Sequence, residues 1–96
     1  MTTTIWIDHQ QALVTSFPEA ERPTVERITR RPSESEDQFD ARVVDAVIDR
    51  PRVEVTGPAF ARTRFERAYV AVTHRPDRLH EPATEIHDDA AVTLVG

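Results

Sequence analysis

The sequence predicts one small α/β domain whose mixed sheet begins as an antiparallel meander and continues through parallel crossovers. The expected order is strand, strand, strand, helix, strand, helix, strand (βββαβαβ). Three observations predict it. The first third of the chain carries β-branched and aromatic residues at period two, interrupted by short polar or proline-bracketed turns. Two later stretches repeat apolar residues at i, i+4, i+7 and i+8, the stripe of an amphipathic helix. A short β-branched run lies between those stretches, so helix and strand alternate once the meander ends.

Thr2 to Asp8 reads as the first strand, with Ile5 and Ile7 on one face and Thr4 and Trp6 on the other. Trp6 is expected to pack in the core beneath a helix on its own face; a subunit contact is the alternative. Asp8-His9-Gln10-Gln11 is a polar turn, and Ala12 to Phe17 completes a hairpin. Pro18 to Pro23 is a charged connection. Thr24 to Arg31 alternates Val25, Arg27 and Thr29 against Thr24, Glu26 and Ile28, a half-exposed third strand near a sheet edge.

Pro32 breaks that strand. Ser33 or Ser35 can cap the helix that follows, and Glu34, Glu36 and Asp37 suit the positive end of its dipole. The first helix is expected from Gln38 to Asp49, turning Phe39, Val43, Ala46 and Val47 inward, and Pro51 ends it. Arg52 to Thr56 is the fourth strand and Gly57-Pro58 a sharp turn. Ala59 to Thr73 is the second helix, striped by Ala61, Phe65, Ala68, Tyr69 and Val72, and Arg75-Pro76-Asp77 breaks it. Leu79 to Pro82 reads as a linker and Ala83 to His87 as a fifth strand; Asp88 to Gly96 fits helix and strand equally. A ribonuclease-H-like sheet has this order, with the first strand central between the hairpin and the crossover strands and helices on at least one face.

Composition narrows the chemistry. With 96 residues the chain is one domain, 1–96, and its core is thin. There is no Cys, which removes disulfides, thiolate nucleophiles and cysteine zinc sites. All 12 basic residues are Arg, so side-chain amine catalysis and a phosphate-loop lysine are excluded. Gly57 and Gly96 are the only glycines, too few for a glycine-rich phosphate cradle. Against 17 acids the net charge is -5, the wrong sign for a domain built mainly to coat nucleic acid. No apolar run approaches a membrane span, and no signal peptide precedes Trp6. The expectation is a cytoplasmic protein with no membrane partner and no cofactor.

The candidate sites are few. Asp8 and His9, with Gly57 and Pro58, form a candidate pocket, because both turns follow strands expected to run side by side and ligands favour the carboxyl ends of such strands. Asp8 with Glu54, Asp45 or Asp49 would be the carboxylate set of a divalent-metal phosphodiesterase; turn formation by Asp8 is the competing reading. His74, His80 and His87 with Asp88 and Asp89 have no standard metal spacing, so solvated loops are preferred and no metal site is assigned. Ser16, Ser33 and Ser35 lie in no nucleophile elbow. Ser33 and Ser35 suit turns and caps and Ser16 a strand's polar face, so no catalytic residue is assigned. Arg27, Arg30 and Arg31, with Arg62, Arg64 and Arg67 interleaved with Phe60 and Tyr69, could grip RNA phosphates; a salt-bridged surface is the competing reading.

Two blocks carry a resemblance. Ile5-Trp6-Ile7-Asp8-His9-Gln10-Gln11-Ala12, followed by Val53-Glu54-Val55-Thr56-Gly57-Pro58 and an amphipathic helix, resembles short bacterial proteins loosely labelled translational-machinery or host-attachment proteins. The same blocks resemble the middle domain of archaeal and eukaryotic class I peptide-chain release factors. The resemblance spans Thr3 to about Val72 and implies a ribonuclease-H-like fold, with the final helix missing or short. Release factors insert a long Gly-Gly-Gln loop after the third strand. Here the matching stretch, Arg30 to Asp37, is short, acidic and free of glycine, and no Gly-Gly precedes Gln38. The resemblance therefore implies a non-enzymatic binding module, associated with the ribosome or RNA through an Arg-rich face. The alternatives are the metal phosphodiesterase and a structural homo-oligomer.

Overall fold

The computed structural model describes residues 2–18 and 22–80. It is a mixed α/β domain with a five-stranded sheet and two α-helices. The elements are β1 (Thr2–Ile7), β2 (Gln11–Phe17), β3 (Thr24–Thr29), α1 (Glu36–Val47), β4 (Val53–Thr56), α2 (Ala59–Thr73), a 3-10 turn (Pro76–Arg78) and β5 (Leu79–His80). The strand order is β3-β2-β1-β4-β5. β1 pairs antiparallel with β2, and β2 with β3, whereas the β1–β4 and β4–β5 pairs are parallel.

This order fixes where the helices lie. From β3 to β4, and again from β4 to β5, the chain advances the same way across the sheet. Right-handed crossovers that advance in one direction leave both helices on one face. Among the described residues, the core accordingly lies on that face. Ile5, Ile7, Ala12, Val14, Ile28, Val53 and Val55 point into it from the strands. Phe39, Val43, Val44 and Val47 of α1 and Ala61, Phe65 and Tyr69 of α2 close it from above.

α1 begins two residues before its expected start because Ser35 is the cap. Its hydroxyl accepts from the Gln38 backbone N–H at 3.1 Å, while the Gln38 side chain accepts from the Ser35 N–H at 2.9 Å. This reciprocal pair satisfies two otherwise orphaned donors. α2 ends where His74 adopts the left-handed conformation (φ 57°) and its N–H returns to the Val70 carbonyl.

Several expectations are corrected. The fifth strand is Leu79–His80, inside the stretch read as a linker, in register with Val53 and Glu54. Two residues carry no period-two signal, so only pairing with β4 defines it. The expected strand at Ala83 to His87 and the ambiguous Asp88 to Gly96 lie outside the described residues. Trp6 is not a core residue: among the described residues no helix covers its face, and it is 37% exposed. Ser16 faces the core, not the polar side, because it shares its face with Ala12 and Val14. Arg50 of the α1–β4 connection donates to it at 2.8 Å and to the buried Thr3 hydroxyl at 3.2 Å.

Tyr69, placed both in the apolar stripe of α2 and among its RNA-facing arginines, follows the stripe: it is fully buried and tilted near Phe65. Its phenolic oxygen has no hydrogen-bond partner among the described residues. Tyr69→Phe keeps the ring and removes the orphaned oxygen, so a gain of about 1 kcal/mol is expected. A higher urea midpoint with an unchanged slope would record it.

Candidate functional site

The carboxyl ends of the parallel pair β1 and β4 bring the two predicted turns together. At the end of β1, the Asp8 carboxylate accepts from the backbone N–H groups of Gln10 (2.8 Å) and Gln11 (2.9 Å). The Asp8 N–H donates to the Gln11 carbonyl at 3.0 Å, closing the hairpin. Asp8 is thus the turn-former that its sequence neighbourhood allowed. At the end of β4, the Thr56 hydroxyl donates to the Ile5 carbonyl at 3.3 Å. Gly57 follows with φ 118°, pressed so close to β1 that a Cβ would lie 2.2 Å from the Ile7 carbonyl oxygen. Pro58 then leads into α2, whose first turn carries Phe60, its ring centroid 6.2 Å from that of His9.

Behind these turns lies a charged brace. Arg64 of α2 reaches Asp40 of α1 with its Nε at 2.7 Å and its Nη2 at 3.3 Å. Its Nη2 also donates to the Asp8 carbonyl at 3.5 Å, and its Nη1 lies 3.4 Å from Glu36. One guanidinium therefore ties both helices to the β1 turn. Asp40 is only 1% exposed. Burial pushes its carboxyl above the usual carboxylate range, and the hydrogen bond and charge of Arg64 pull the other way. Neither residue of this pair was paired from the sequence. The signal was present: Asp40 sits within the apolar stripe of α1, and a carboxylate there needs a buried partner.

The remaining predicted residues do not converge. Glu54 lies on the helix-free face of the sheet, 3.5 Å from Arg52, and Asp45 and Asp49 are exposed on α1 and just beyond it. Among the described residues, no three ligating His, Asp or Glu side chains gather to hold a metal ion. The arginines are likewise dispersed. Arg27 projects from the helix-free face and donates to the Gln11 side chain. Arg64 is turned inward, Arg62 is half-buried on α2, and Arg67 lines a shallow apolar groove on the outer side of α2 with Thr63, Glu66, Val70 and Ala71.

Arg30 and Arg31 lie in the β3–α1 connection, which is a closed link. The Arg30 N–H donates to the Gln10 carbonyl at 2.8 Å and the Glu34 N–H to the Arg31 carbonyl at 3.0 Å. The Glu34 carboxylate accepts two bonds of 2.7 Å from Arg42, a residue not singled out in the sequence, and a third of 3.0 Å from the Arg31 N–H. Arg42 also donates to the Thr29 carbonyl at 2.8 Å, so the link is anchored to both β3 and α1.

Chiefly through the Arg42 bonds, the Glu34 carboxyl is held down at about 2, from an ordinary value of 4.5. A carboxyl held low in the folded state stabilises it above the unfolded value, and the effect disappears as pH falls through the folded one. Acid titration of unfolding should therefore steepen between these two values in the wild type and flatten in Glu34→Gln.

Comparison of the chain with family models, with characterised proteins and with solved structures gave no match. Among the described residues, no helix is long and apolar enough to cross a membrane.

Proposed function

We propose that the chain is a ribonuclease-H-like scaffold of the kind found in the middle domain of class I release factors, and that it serves as a non-enzymatic module binding RNA on the ribosome. The strand order β3-β2-β1-β4-β5 with a central β1 supports the fold reading. The observation that carries the functional reading is the β3–α1 connection. Where a release factor extends its hydrolytic loop, this chain has a short link fastened by Glu34, Arg42 and the Ser35 cap. Such a link has no glycine to let a backbone reach into a distant reaction centre, and its acid is already engaged by Arg42. What remains of the scaffold is surface for binding.

Co-sedimentation with ribosomes across a salt series tests this reading. Association at low ionic strength that falls as salt rises is expected, because phosphate contacts release counterions. Absence of association at the lowest salt would sink it. Release of peptide from peptidyl-tRNA by the purified protein would contradict the non-enzymatic part.

A further inference from the structure

The helix-free face of the sheet is unlike the rest of the molecule. It exposes Trp6 (37%) and Phe17 (43%) on adjacent strands, with Leu13 beside Trp6 and Arg27 beside Leu13 in the β-ladder. Phe17 pairs with Thr2, four residues from Trp6 along β1, which separates the two rings by roughly 14 Å. Two rings that far apart engage different groups. Charge is segregated here too. The strands carry two acids, Glu26 and Glu54. Of these two, Glu54 faces this side, where Arg52 lies 3.5 Å from it. Among the described residues the face thus sets Arg27 and Arg52 against Glu54, one net positive charge on a chain that is -5 overall.

Exposed aromatic rings flanked by arginines and threonine hydroxyls, with one acid on the face among the described strand residues, match unpaired nucleic acid. Bases that are not in a duplex can stack on the rings, and guanidinium groups meet the phosphates. Val25, 65% exposed, shares this face, but so do Thr2, Thr4, Thr15 and Thr29, and a homodimer seam would be expected to be more apolar.

We propose that this face binds a single-stranded RNA segment, with Trp6 and Phe17 as stacking platforms and Arg27 and Arg52 on the backbone. The proposal rests on the RNA-binding reading above and moves the contact from the helix arginines to the sheet.

Trp6 is the only tryptophan, so its fluorescence reports this face alone. Titration with oligo(U) at low salt is expected to quench it saturably, and a duplex of equal length is not. In parallel, anisotropy of labelled oligo(U) should show about tenfold weaker binding for Phe17→Ala and a salt slope smaller by about one for Arg27→Gln. Circular dichroism of both variants checks that they fold. Binding of oligo(U) without quenching, weakened by Arg67→Gln and untouched by Phe17→Ala, would overturn the proposal and leave the RNA-binding reading intact. No binding of any RNA would remove both. A shift of Trp6 emission with protein concentration, without RNA, would overturn it in favour of a second copy of the chain.

Discussion

Gly57→Ala is expected to cost the domain about 4 kcal/mol of folding stability. Two effects coincide at this position. The backbone has φ 118°, which L side chains rarely adopt. The added Cβ would also lie 2.2 Å from the Ile7 carbonyl oxygen and 3.1 Å from the Ile7 nitrogen. Both atoms are backbone of the central strand, so no rotamer change can relieve the overlap. Either β4 withdraws from β1 or the turn into α2 is rebuilt, and each route breaks the parallel pair on which the crossovers depend. Urea unfolding should show a collapsed midpoint, or the variant should be recovered only as aggregate. A midpoint equal to that of the wild type would mean that the turn does not press on β1.

Asp40→Ala is expected to cost about 3 kcal/mol. It strands the Arg64 guanidinium, which is 17% exposed, with Glu36 and the Asp8 carbonyl as its remaining contacts. Replacing both partners with apolar residues of similar size, Asp40→Leu with Arg64→Met, should recover most of that loss, because the cost of an unpaired buried charge disappears with the charge. Asp40→Asn should fall between them. Its neutral side chain imitates the protonated acid, and a carboxyl whose value is raised by folding favours the folded state below its unfolded value and loses that advantage as pH rises through the folded one. The Asp40 and Glu34 contributions therefore run in opposite directions with pH. Thermal melts of the three variants at neutral and acidic pH separate them.

Much of the architecture was legible because local signals agreed with one another. α2 was bounded correctly at both ends by Gly57-Pro58 and by the break before Pro76. The hairpin and the parallel β1–β4 pair followed from alternation and element order. The misplaced strand side chains share one physical origin, which is that local pattern does not say which sheet face a helix will cover. Trp6 was given a helix overhead because its own face seemed to need one. The strand order together with crossover handedness places both helices on the other side. The same omission put Ser16 on the wrong face. Tyr69 is different, because the α2 stripe already turns it inward. β5 was missed for a different reason, since two residues paired only to β4 have no periodicity to read.

The site was partly legible. The meeting of the Asp8 and Gly57 turns was foreseen, but Arg64 was read as a surface cation. It stands next to Phe65 on the inward side of α2, and only the carboxylate embedded in the stripe of α1 reveals its partner.

Among the described residues, β3 is the outer strand on one side of the sheet, and its outer row of backbone donors and acceptors pairs with no further described strand. Two copies that joined there antiparallel, each keeping its helices on the same side, would have two registers of greatest overlap. One sets Glu26 opposite Glu26, and the other sets Arg27 opposite Arg27. Either way like charges meet at the centre of the seam. The edge therefore carries a like-charge guard against pairing with its own copy.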